Sequence, residues 1–184
     1  MNEFAIDISD RQSRLVVDES RLREAVRRVL SEERIPAATI SLALVEDAEI
    51  QRINREFLGH DYPTDVISFL LDDQREEGWS QESGVRSQDE ERLVGTECSE
   101  SSLTLPPQPP PPLEGELIVS TETALREAAA HGWNPQDELL LYVVHGLLHL
   151  CGYDDLTDEA RPAMRLRERE VLAGWHLIPT GLEA

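Results

Sequence analysis

The sequence predicts an α+β fold: a small mixed sheet of about four strands with four to five helices, and a metal site at the C-terminal end of a central buried helix. Three observations carry this. Short β-branched stretches such as "ATISLALVED" alternate with segments of helical periodicity. The stretch "PQDELLLYVVHGLLHLCGY" is apolar nearly all round, which suits a helix buried on every side. Within it His145 and His149 stand four residues apart, so on a helix both rings leave from one face.

In chain order, "RLVVD" (14–18) reads as a short strand. "DESRLREAVRRVLSEE" reads as a helix with Leu22, Val26, Val29 and Leu30 at helical spacing, Asp18 or Ser20 as cap, and Pro36 as the stop. "ATISLALVED" has strand alternation. "DAEIQRINREFLGH" is a second helix, with Ile50, Ile53 and Phe57 on one face and Asp47 as N-cap. "DYPTDVISFLLD" opens as a turn and ends as a strand. From about Asp72 to Leu113 the periodicity dissolves. That acidic, Ser-rich and Pro-rich composition predicts a disordered insert, 72–113, within a single domain spanning 1–184. "GELIVST" is a strand, and "TETALREAAAHGW" a helix ending near Gly132. The long apolar helix begins at Pro135. "TDEARPAMRLREREVLAGW" closes the chain as a helix capped by Thr157 or Asp158.

Bulk properties exclude several classes. The 184 residues suit one domain with a sizeable core. No apolar run approaches the roughly 20 residues that span a bilayer. The first residues lack the basic-then-apolar pattern of a secretory signal, so the expected location is the cytoplasm, with no membrane partner. Cys98 and Cys151 cannot build a disulfide framework, and the absence of a CxxC pair excludes a cysteine-rich zinc site. A net charge of -20 argues against a generic nucleic-acid binder, and no DNA partner is expected. Every basic residue is Arg, however, and several cluster in "SRLREAVRRVL" and "RPAMRLRERE", so a local Arg surface can survive under the negative total.

The stretch "HGLLHLCGYDD" carries the chemistry. His145 and His149 have the spacing of a two-histidine metal site. Gly152 can end the helix and turn the chain back, placing Asp155 as a third ligand beside an open fourth position. Spacing alone also allows a core helix whose histidines merely hydrogen-bond. Position 146 is Gly where an HExxH metalloprotease needs its general-base Glu, which argues against peptide hydrolysis.

"HGLLHLCGYDD" resembles the HGxLHLxGYDH signature of the YbeY-type endoribonucleases, bacterial ribosomal-RNA maturation factors. "NREFLGHDYPTDVISF" resembles a second family segment through Asn54, Gly59, Asp61, Thr64, Asp65, Val66, Ser68 and Phe69. "GELIVS" resembles a third through Gly115, Glu116 and Ser120. The resemblance covers most of the chain outside 72–113. It departs at Asp155, where the family has His, and at Leu58, where the family has Arg.

The resemblance implies a metal-dependent, single-strand-specific endoribonuclease. It would act in ribosomal RNA 3′-end maturation and ribosome quality control, with single-stranded or ribosomal RNA and the small ribosomal subunit as partners. His145, His149 and Asp155 would hold one divalent ion, zinc first because two imidazoles favour it, with Mn or Mg behind. An anionic ligand makes the ion a weaker Lewis acid and tilts preference towards harder metals. The catalytic species is expected to be the metal's water, with Glu116 as a candidate assisting acid. Asn54, Arg52, Arg55 and His60 are candidate RNA contacts, in an Arg groove between the first two helices. Asp154 either orients a ligand or caps the turn. The alternatives are a ribosome-assembly factor with weak or lost nuclease activity, favoured by Leu58 and Asp155, and a metal hydrolase of another substrate.

Overall fold

The computed structural model describes residues 3–71 and 112–177. The predicted insert therefore lies outside the described residues, except for its last two: Pro112 is exposed, and Leu113 belongs to a strand and is fully buried. Four strands form one mixed sheet: β1 (Glu3–Asp10), β2 (Ala37–Val45), β3 (Val66–Leu70) and β4 (Leu113–Ser120). Their order is β1-β2-β4-β3, with β1, β2 and β4 parallel and β3 antiparallel on the β4 edge. Five α-helices stand among the described residues: α1 (Glu19–Glu32), α2 (Asp47–Ile53), α3 (Thr121–His131), α4 (Pro135–Leu150) and α5 (Arg161–Leu172).

The first strand is the main correction. It is Glu3–Asp10, not residues 14–18, which form a loop with Val16 90% exposed. "EFAIDISD" alternates Phe4, Ile6 and Ile8 inward with polar or small residues outward, the period of a half-buried strand. β-branched Val16 and Val17 favour extended backbone, but no strand among the described residues pairs with them.

Alternation also sorts the helices between the two faces of the sheet. Ala38, Ile40, Leu42 and Leu44 of β2, with Leu113, Leu117 and Val119 of β4, pack beneath α1, α4 and α5. Ala43, Val45, Ile67 and Ile118 face the other way, against Ile50 and Ile53 of α2. The first two helices therefore lie on opposite faces, and the expected Arg groove between them does not form.

Helix ends obey local chemistry. Asp18 caps α1 by accepting from the Arg21 amide. The helix stops at Glu32 rather than Pro36, because Arg34 turns left-handed (φ 58°) while Ile35 N–H closes back on Leu30 O at 2.9 Å. Asp47 is the first residue of α2, not its cap. Its carboxylate instead accepts from Ser120 Oγ (2.5 Å), Thr123 Oγ1 (2.8 Å) and Arg126 Nη1 (2.8 Å), tying α2 to the β4–α3 corner. Beyond Ile53 the helix widens into a π-type turn, Asn54–Leu58, closed by Gly59 at φ 75°. That extra winding takes Phe57 off the buried stripe. It is 63% exposed and meets the ring of Phe69 edge-on. Asn134 caps α4, and α3 ends at left-handed Gly132. α5 begins at Arg161 without a side-chain cap, because Thr157 Oγ1 is taken by the Ala160 amide in the preceding turn.

α4 is the centre of the molecule. Its inner face lies so close to the sheet that a Cβ on Gly146 would stand 2.8 Å from Leu117 Cδ2 and 2.9 Å from Val66 Cγ2. The residue after His145 must be small for α4 to sit this low. That packing requirement explains Gly146 at a position where a protease would need an acid.

Candidate metal centre

His145 and His149 leave the last turns of α4 on one side, their ring centroids 4.6 Å apart and nearly perpendicular. The helix ends at Leu150. Gly152, at φ 96°, supplies the left-handed turn that brings the chain back. Asp154 shapes the next few residues. Its Oδ1 accepts from the amides of Asp155 (2.8 Å) and Leu156 (3.1 Å), so it builds the turn. The turn delivers Asp155: Oδ1 is 3.6 Å from His149 Nε2, and Oδ2 is 4.0 Å from His145 Nε2. One ligand atom from each of the three residues lies within 4.8 Å of the others.

The rings are held by their far nitrogens. His145 Nδ1–H donates to Glu168 Oε1 at 2.6 Å, and His149 Nδ1–H donates to the Tyr153 carbonyl at 3.0 Å. With both Nδ1 atoms used as donors, both Nε2 atoms point inward, 3.1 Å apart. Two imidazole lone pairs at that distance need a cation between them, a proton or a metal. Zinc–nitrogen bonds of about 2.0–2.1 Å in tetrahedral geometry separate two ligand nitrogens by roughly 3.3 Å, so the spacing suits an ion. Three such donors would leave a fourth position of a tetrahedral ion open. Two imidazoles and a carboxylate form a borderline donor set, acceptable to zinc and less so to harder ions. The residues present fit a divalent metal.

The electrostatics agree. Burial alone pushes the His145 imidazolium down. The hydrogen bond and charge of Glu168, with Asp65 and Asp155, outweigh it and hold the pKa above the ordinary histidine value of 6.5. The pocket therefore attracts positive charge to a site whose rings are mostly screened from water.

Glu168 is a site residue that sequence reasoning misses. It is 0% exposed in α5, on the same stripe as Met164, Val171 and Leu172. The available signal is an acid at an apolar-stripe position, where burial demands a partner. α5 is fixed by that stripe and by Arg167, which reaches Glu33 (2.6 Å) and Glu32 (3.0 Å) at the end of α1.

The other candidates sit elsewhere. Glu116 lies between Gly115 and Leu117, the residues that meet α4, so it projects from the opposite face of the sheet. Asn54 is buried and donates to the Tyr62 carbonyl at 2.9 Å, holding the 54–62 loop in shape. Arg52 and Arg55 are exposed but paired with Glu56 (3.1 Å) and Asp61 (3.5 Å). His60 is exposed and stacks on Tyr62, centroids 5.4 Å apart. Arg52, Arg55 and His60 share the surface of α2 and its adjoining loop, and that loop runs through Asp65 to Val66, against α4 at Gly146.

The fold and the cluster define a mixed α+β protein with a two-histidine, one-carboxylate site on its central helix. Residues 7–176 match the family model for endoribonuclease YbeY. Similar proteins, each described as endoribonuclease YbeY, include one from Bacillus licheniformis, 32% identical over 91% of this chain and 92% of the relative. One from Pelotomaculum thermopropionicum is 34% identical over 92% of this chain and 96% of the relative. One from Rhodopirellula baltica is 39% identical over 71% of this chain and half of the relative. The chain belongs to the YbeY endoribonuclease family.

Proposed function

We propose that this chain is a metal-dependent endoribonuclease that cuts single-stranded RNA, and that it acts in ribosomal RNA 3′-end maturation and ribosome quality control. The observation that carries this is the convergence of His145, His149 and Asp155 within one ion's reach, in a chain of an endoribonuclease family. On this reading the residues hold one divalent ion, zinc in first place, and the small ribosomal subunit in the cytoplasm is the setting.

An ion held by His145, His149 and Asp155 would supply Lewis acidity toward a phosphate and acidify its bound water. The protein supplies the rest. His145 and His149 present Nε2 in fixed orientation, because Glu168 and the Tyr153 carbonyl hold their Nδ1 protons. Asp155 adds negative charge and is kept in reach by the Asp154 turn and by Arg161 Nε, which donates to the Asp155 carbonyl at 3.2 Å. Arg52, Arg55 and His60, exposed on α2 and the loop that runs on to Val66, offer phosphate contacts once RNA competes with Glu56 and Asp61 for the arginines. Glu116, on the opposite face of the sheet from α4, is given no role in this reading.

A second reading, an assembly factor with weak or lost nuclease activity, is favoured by one observation. Leu58 is half exposed between Arg55 and His60, an apolar side chain where the family carries Arg. Cleavage of single-stranded RNA by the purified chain, with and without chelator and in His149→Ala, tests the two. Activity that disappears with chelator and in His149→Ala supports the nuclease. Full activity in either sample sinks the metal mechanism, and no activity with any divalent ion, with ribosome association intact, favours the second reading.

A further inference from the structure

We infer that Glu168 is the positioning residue of the metal centre: it orients His145 from α5 and makes that helix part of the site. The inference rests on the metal-dependent reading above. Its geometric basis is the contact between Glu168 and the far side of the His145 ring, not the distances within the three-residue cluster. Glu168 is 0% exposed, and a carboxylate in that setting must be compensated. Oε1 takes the His145 Nδ1–H at 2.6 Å, a short charge-assisted bond. Oε2 has Arg165 at 3.5 Å, a long contact to a side chain 39% exposed. The imidazole is thus the principal partner.

The bond does two things for a metal ligand. It fixes the tautomer, so that Nε2 keeps its lone pair, and it fixes the ring plane, so that the lone pair points at His149 and Asp155. A carboxylate behind the ring also makes Nε2 a stronger donor. The two histidines differ in this respect. His149 leans on a backbone carbonyl of its own turn, which no side-chain change removes, whereas His145 leans on a side chain 23 residues away. Counted with Asp155, two carboxylates and two neutral imidazoles balance one divalent cation.

The test uses the full chain stripped of metal, with Glu168→Gln, Glu168→Met and His149→Ala beside wild type. Zinc affinity is read by competition with a chromophoric chelator, and site geometry by the visible bands of the cobalt-loaded protein. Gln keeps an acceptor oxygen without the charge, and Met keeps the volume with neither. Zinc binding is expected to weaken about 10-fold in Glu168→Gln and up to about 100-fold in Glu168→Met, with displaced cobalt bands in the latter. Far-ultraviolet circular dichroism in chelator checks the fold. Should Glu168→Met fail to fold, Glu168→Gln decides alone. Wild-type zinc affinity with unshifted cobalt bands in the folded variants would overturn the positioning role and leave the metal reading intact. A wild-type chain that binds no divalent ion would overturn both.

Discussion

Replacing either histidine by alanine removes one proposed ligand, yet the two changes are expected to differ sharply in metal-free stability. His145→Ala strands the Glu168 carboxylate, which is fully buried and, among the described residues, retains only Arg165 at 3.5 Å. Breaking one side of a buried ion pair costs roughly 3–5 kcal/mol. His149→Ala removes a bond to the Tyr153 carbonyl, in a corner where the ring is 26% exposed and water can replace it. That loss is worth about 1 kcal/mol. The assay is urea unfolding in chelator near pH 7. Adding Glu168→Met to His145→Ala should recover about 2 kcal/mol, because the stranded charge is gone. The His145→Ala penalty should also shrink in acid, where protonation neutralises a stranded carboxylate. Equal penalties for the two alanine variants, or no recovery in the double variant, would refute the view that Glu168 depends on His145.

Three further outcomes are expected. Metal-free wild type should lose stability as pH rises from about 6.5: a raised imidazole pKa stabilises the folded state fully below the unfolded value, and that gain disappears as pH passes the folded one. Unfolding midpoints from pH 6 to 9 in chelator, flat for His145→Gln, check it. Leu58→Arg adds a cation at an exposed position, so stability should change by less than about 0.5 kcal/mol. The slope of log affinity for single-stranded RNA against log salt should steepen by about 0.7. Asp47→Ala should destabilise the chain by about 2–3 kcal/mol, since it orphans donors from Ser120, Thr123 and Arg126. Burial pushes the Asp47 carboxyl up, but those donors outweigh it and hold its pKa below 3.8. Its contribution is therefore present above that value and lost only as pH falls through the folded pKa. Denaturant titrations of Asp47→Ala at pH 7 and pH 3 read both effects.

Much of the architecture is legible in the sequence because period and capping agree. Leu22, Val26, Val29 and Leu30 announce α1, and the all-round apolar run announces a central α4. β1 escapes a reading of this kind although Phe4, Ile6 and Ile8 alternate correctly, because Val16 and Val17 nearby offer a stronger β-branched signal. Parallel pairing with β2, a long-range contact, decides between them. The departure of Phe57 from the α2 stripe depends on one extra residue of winding before Gly59, which periodicity does not encode. At the candidate site, the clustering of the two histidines with Asp155 is legible because the three sit within eleven residues of one another in sequence. Glu168 is not, because its role depends on how α5 docks, and an acid in a helix otherwise rich in charge looks like one more solvated residue.

β3 and β4 have a consequence of another kind. Leu71 N–H donates to Glu114 O at 2.9 Å, so the chain leaves the sheet and returns to it at the same point. The two strands are already clasped there, and nothing in the register specifies how many residues join them. By chain-closure entropy, reducing a connection of roughly forty residues to about four lowers the closure cost by only about 2 kcal/mol. Evolution can therefore lengthen, shorten or recompose the stretch between Leu71 and Pro112 at small energetic consequence, while the helix that carries the histidines keeps its seat on the sheet.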